Sequence, residues 1–141
     1  MKSIYPPSGE QDAERYSTLT KEERSYMWYA LEFCGAVLSR RSEHIEALEL
    51  AANHLTALGY YADGLRLDRR LALIKPGEPG VLYNLACSLA LTGNHGEALD
   101  TLSRAVEAGY SDFRHMSEDC DLAPLRNEER FLSLIAQAPE S

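Results

Sequence analysis

Residues 45–78 align with residues 79–112 at an offset of 34, and self-similarity of that period is the length of one helix-turn-helix unit. Leu48 coincides with Leu82, Ala52 with Ala86, Leu55 with Leu89, Gly59 with Gly93, Leu65 with Leu99 and Arg70 with Arg104. All but the last pair are small or apolar, the types required where helices touch or the chain reverses. What recurs is a packing pattern, and it constrains the chain to an all-α fold of paired helices.

The helix boundaries follow from local chemistry. Thr20 followed by Glu23 is a capping box, which opens a helix at Thr20 that runs to about Arg40, with Arg40 and Arg41 suiting the negative end of its dipole. Ser42 is placed to cap the next helix, residues 43–58, where Leu48, Ala51, Ala52, Leu55 and Leu58 recur at three- and four-residue steps before Gly59. A second helix over residues 62–74 carries Gly64, Leu67, Leu71 and Ile74 on one stripe and ends before Pro76 and Gly77. Pro79 suits the first turn of the following helix, with Leu82, Leu85, Ala86 and Leu89 inward, and Ala98, Leu102, Ala105 and Val106 supply its mate. Residues 112–118 read as a short helix, the Asp-Cys-Asp-Leu-Ala-Pro stretch as a turn, and residues 127–136 as a last helix with Phe131, Leu134 and Ile135 inward.

In register, these hairpins resemble the tetratricopeptide repeat. The second repeat presents Leu82, Asn84, Leu85, Ala86, Leu89, Gly93, Ala98, Leu102 and Ala105, and the first presents Leu48, Ala52, Leu55, Gly59, Gly64, Leu71 and Pro76. The resemblance covers about half of the chain and implies a short right-handed α-solenoid of stacked antiparallel hairpins. Gly64 stands where the family has Ala, a cost of about 1 kcal/mol in helix propensity. Asp68 replaces an apolar residue, so that part of the first repeat is expected to be exposed or paired with an arginine. Because stacked repeats need about three units to close a core, an N-terminal helix and C-terminal capping helices are expected at the ends. The expected organisation is a flexible N-terminal arm (1–19) and one domain (20–137), followed by a tail (138–141). The domain divides into an N-terminal helix (20–41), repeats at 45–78 and 79–112, and a degenerate capping repeat (113–137).

The resemblance also implies a function, the non-catalytic binding of a peptide or helix of a partner protein in a groove. Family register places Glu49, Asn53, Thr56, Tyr83, Asn84, Cys87 and Ala90 along that groove. Asn53 and Asn84 match the asparagines of the carboxylate-clamp subtype, with hydrogen bonding between helices as the alternative use of their amides, but Glu49 replaces the clamp's first lysine. A carboxylate there repels an acidic tail and favours a neutral or basic segment. The alternative is a self-associating assembly or secretion-chaperone-like module. Residues 26–38 leave the N-terminal helix apolar nearly all round, so it is expected either to be buried within the fold or to form a homodimer or partner interface with Trp28 as anchor.

Composition narrows the remaining classes. At 141 residues the chain is the size of one domain, and its formal net charge of −8 disfavours nucleic acid and anionic lipid. The apolar run at residues 26–38 is shorter than the roughly 20 residues a membrane span requires. Residues 1–11 lack a basic region followed by an apolar one, so the expected location is cytoplasmic. Cys34, Cys87 and Cys120 are odd in number and widely spaced, which fits reduced thiols. Arg66, Arg69 and Arg70 form a basic island, read as a solvated face or a dock for an acidic segment. His115, Asp119, Cys120 and Asp121 lack a second ligand at metal spacing and an orienting base. A calcium loop starting at Asp119 would place Pro124 at its glycine and Arg130 at its bidentate glutamate. No cofactor, metal or enzymatic activity is expected.

Overall fold

The computed structural model describes residues 4–139, and no strand occurs among them. The protein is an all-α helical repeat in which the two helices of each repeat pack on one another. Two compact units, Met1–Ile74 and Lys75–Ser141, divide the chain after the second helix of the first repeat.

The first unit contains α1 (Ala13–Ser17), α2 (Lys21–Arg40), α3 (Ile45–Ala57) and α4 (Tyr61–Ile74). The capping box at the start of α2 is formed: Glu23 N donates to Thr20 Oγ1 and Thr20 N to Glu23 Oε1, each at 3.0 Å. Ser42 does not cap α3. His44 does so, its Nδ1 accepting from Ala47 N at 3.2 Å. The core of this unit is built from Leu31, Cys34, Leu38, Leu48, Ala51, Ala52, Leu55, Leu67 and Leu71, all buried.

The second unit contains α5 (Pro79–Leu91), α6 (His95–Glu107), α7 (Phe113–Glu118), the 3-10 helix Cys120–Leu125, and α8 (Glu129–Ile135). Ala86, Leu89, Ala98, Leu102 and Ala105 are buried where α5 packs on α6, and Met116, Leu122, Leu125 and Phe131 complete the core from the C-terminal segment.

The period found in the sequence recurs in the backbone. Helix α5 begins and ends 34 residues after α3, and α6 begins 34 residues after α4. The turns match bond for bond. Tyr60 N donates to Leu55 O at 2.8 Å and Asn94 N to Leu89 O at 2.9 Å, while Gly59 N donates to Thr56 O and Gly93 N to Ala90 O. This pattern is a Schellman close, which needs a left-handed residue, and Gly59 (φ 93°) and Gly93 (φ 82°) supply it. Close approach is equally literal in the first pair, where the position of a Cβ on Gly64 is already taken by Thr56 Oγ1, with Ala52 O at 3.4 Å. The Gly that departs from the family pattern therefore fits the space beside Thr56.

The segment read from sequence as an arm carries ordered contacts. Ile4 is buried, and Tyr5 and Ile4 lie against Gly35 of α2. Ser8 N, Ser8 Oγ and Gly9 N donate to the carboxylate of Asp63 at 3.2, 3.2 and 2.9 Å. Asp12 caps α1, donates its own N–H to Gly59 O at 2.9 Å, and accepts from the Tyr61 hydroxyl at 2.9 Å. The bonds to Asp63 offset the cost of burying its carboxylate.

Candidate functional site

The first helix of each pair carries the residues that the repeat register assigns to a groove, and the two units present them differently. On α3, Glu49 and Asn53 are exposed one turn apart, and Thr56 is half-buried against Gly64. On α5 the equivalent positions are Tyr83, Cys87 and Ala90, and all three are buried. Asn84 is exposed and corresponds to Leu50 in the first repeat, not to Asn53. The expected surface is thus open at Glu49, Asn53 and Asn84, whereas Tyr83, Cys87 and Ala90 are turned to internal packing.

The covering element on α5 is the 3-10 helix Cys120–Leu125 and the residue before it. Asp119 Oδ2 accepts from the Tyr83 hydroxyl at 2.7 Å and lies 3.7 Å from Cys87 Sγ and 3.3 Å from His115 Nε2. Its other oxygen accepts from Asp121 N at 3.0 Å, and its carbonyl accepts from Arg126 at 3.0 Å. Tyr83 also stacks on Tyr110, with centroids 4.2 Å apart and planes within 3°. Burial and the adjoining anionic groups push the Tyr83 phenol and the Cys87 thiol well above their ordinary values. Cys87 therefore stays protonated, a donor to Asp119 and a poor nucleophile. The cluster fastens the capping segment to α5.

Other residues singled out from sequence are taken up inside the first unit. Arg66 pairs with Asp63 at 3.3 Å, and Arg70 Nε donates to the carbonyl of Ser42 at 3.2 Å. Arg66 and Arg70 thus have internal partners, and Asp68 is buried, not exposed. Cys34 is buried, with its thiol raised by desolvation, and Cys120 is the exposed one of the three free cysteines. Among the described residues, no group of three or more His, Cys, Asp or Glu is arranged to hold a metal ion. No helix among them is long and apolar enough to cross a membrane.

Of the two presentations expected for the N-terminal helix, Trp28 follows the internal one. Trp28 is half-buried and faces the N-terminal segment. Its Nε1 donates to the Tyr16 hydroxyl at 3.2 Å, and its ring meets Tyr5 and Tyr60 edge-on at 6.5 and 5.8 Å. It is a packing residue, not an exposed anchor. The large exposed rings of α2 are Tyr26, Tyr29 and Phe33. Their spacing of three and four residues is the signal that distinguishes them from Trp28, which is out of phase with that stripe.

No protein-family model matches the chain, and no solved structure matches it. Among curated proteins, a chloroplastic protein from Arabidopsis thaliana is 36% identical over 59 residues, which cover 42% of this chain. The match spans 18% of that protein's own length.

Proposed function

We propose that this chain is a tetratricopeptide-like, non-catalytic module that binds a neutral or basic segment of a partner protein. The observation that carries this reading is the contrast between the two first helices. The positions filled on α5 by Tyr83 and Cys87 under the capping segment are left open on α3 as Glu49 and Asn53. A helix face that packs against chain in one repeat is suited to receive chain in the other. Glu49 sets the polarity of what it receives, because a carboxylate at the centre of a contact favours Lys or Arg and repels an acidic tail. Asn53 adds a side-chain amide able to bond a peptide backbone. The matching helix bounds and turns of the two repeats support the family assignment. The free state of Cys34, Cys87 and Cys120 supports a reducing compartment such as the cytoplasm.

Selection of a displayed random-peptide library on the full chain tests the proposal. The expected result is enrichment of Lys- or Arg-bearing segments whose binding falls at least tenfold in Glu49→Lys and several-fold in Asn53→Ala. Enriched peptides that bind both variants as tightly as the parent would overturn the assignment of this face.

A further inference from the structure

Six residues of α2 form a seam that the described residues leave largely open. Glu22, Tyr26, Tyr29, Phe33, Ala36 and Arg40 succeed one another at steps of four, three, four, three and four, and every one of them is exposed. The three rings keep 62%, 74% and 64% of their surface open at Tyr26, Tyr29 and Phe33. Alternating three- and four-residue steps are the spacing of a coiled-coil seam, the line along which one helix meets another. The core side of the same helix is filled by Ala30, Leu31, Cys34 and Leu38, so the seam is a second apolar stripe, not the edge of the first.

The order of residues along the seam indicates what fits it. The step pattern reads the same in both directions, with its midpoint between Tyr29 and Phe33. A two-fold axis at that midpoint sets an antiparallel copy in register: Tyr29 faces the partner's Phe33, Tyr26 faces the partner's Ala36, and Glu22 faces the partner's Arg40. Large then meets small, ring meets ring, and each end of the seam joins opposite charges. A parallel copy would instead oppose Glu22 with Glu22 and Arg40 with Arg40. We propose that this seam is a self-association surface on which a second copy of the chain packs its own α2 antiparallel, as in an isologous dimer.

The area sets the strength. Three rings this exposed contribute roughly 400 Å² per copy, about half of what a standard interface buries on each side. The dimer is therefore weak and concentration-dependent, and the end charges fix register more than they add affinity.

Sedimentation equilibrium of the full chain from micromolar to millimolar concentration tests this. The parent protein should pass from monomer to dimer. Phe33→Glu should remain monomeric throughout, with unchanged far-ultraviolet dichroism and Trp28 emission because Phe33 lies outside the core. Glu22→Arg should weaken the dimer about three- to tenfold, and Glu22→Arg combined with Arg40→Glu should restore it. A parent that stays monomeric at every concentration, a dimer that survives Phe33→Glu, or a charge swap that fails to restore association would each overturn the proposal. Glu49 and Asn53 are not part of the seam, so Glu49→Lys leaves sedimentation unchanged and the two readings fail separately.

Discussion

The Tyr83 hydroxyl donates to Asp119 Oδ2 at 2.7 Å, joining residues 36 positions apart and tying the capping segment to the first helix of the second repeat. Removal of the acceptor leaves a buried phenol without its partner. Asp119→Ala is expected to lower the unfolding free energy by about 1–3 kcal/mol. Tyr83→Phe should cost less, about 1 kcal/mol, because Asp119 retains the Asp121 amide. Urea titration of both variants checks the order, and a larger loss for Tyr83→Phe would contradict it.

The two repeat turns make an internal comparison. Gly59 and Gly93 share the left-handed conformation, but a Cβ on Gly59 would stand 2.6 Å from Asp12 O, whereas none of the described residues comes within 4 Å at Gly93. Gly93→Ala should therefore cost only the conformational penalty, about 1–2 kcal/mol. Gly59→Ala should cost more, and the excess reports the docking of residues 4–19. Equal losses in thermal unfolding would mean that this segment does not sit against the turn in solution.

Gly64 and Thr56 are coupled sterically. Gly64→Ala gains about 1 kcal/mol of helix propensity but meets Thr56 Oγ1, so the single variant should gain little or lose stability. With Thr56→Ala in place the same change should be favourable. A double-mutant cycle with no coupling between the two positions would count against the close approach of α3 and α4.

His54 gives the fold a pH dependence. Desolvation holds its imidazole below the ordinary 6.5, and its Nε2 is buried with no hydrogen-bond partner among the described residues. A depressed folded value means that the unfolded chain takes up the proton first as pH falls. The stability this group confers is thus complete above about 6.5. It declines through the window down to the folded value and is lost below it. His54→Gln should flatten the change in urea midpoint between about pH 7.5 and about pH 5.5. The imidazole of the parent, followed by proton NMR, should titrate below 6.5. An imidazole titrating above that value would refute the sign.

Much of the helical scaffold is legible in the sequence because it rests on short-range chemistry. Thr20 and Glu23 announce a capping box, Gly59 and Gly93 announce left-handed turns, and the Leu and Ala stripes announce buried faces. The arm is not legible, because its bonds run from backbone amides of Ser8 and Gly9 to Asp63, and amides leave no trace in side-chain periodicity. The fate of Tyr83 and Cys87 is hidden for a related reason. Their covering carboxylate, Asp119, lies in an irregular segment whose path depends on tertiary contacts. Whether Trp28 packs inward or anchors an interface is open in the sequence because a helix apolar on nearly every face has no dominant phase. The spacing of Tyr26, Tyr29 and Phe33 resolves that ambiguity once the inward set is known.

The distribution of the three thiols equips this chain with its own reporter. Cys34 and Cys87 are shielded, and Cys120 stands open beside the carboxylate that fastens the capping segment. A maleimide dye added to the native protein should label one place, and its emission would follow the loosening of that clasp without any engineered handle. The two shielded sulfurs would take up reagent only as their helices separate, so the stoichiometry of labelling with time separates local fraying from global unfolding.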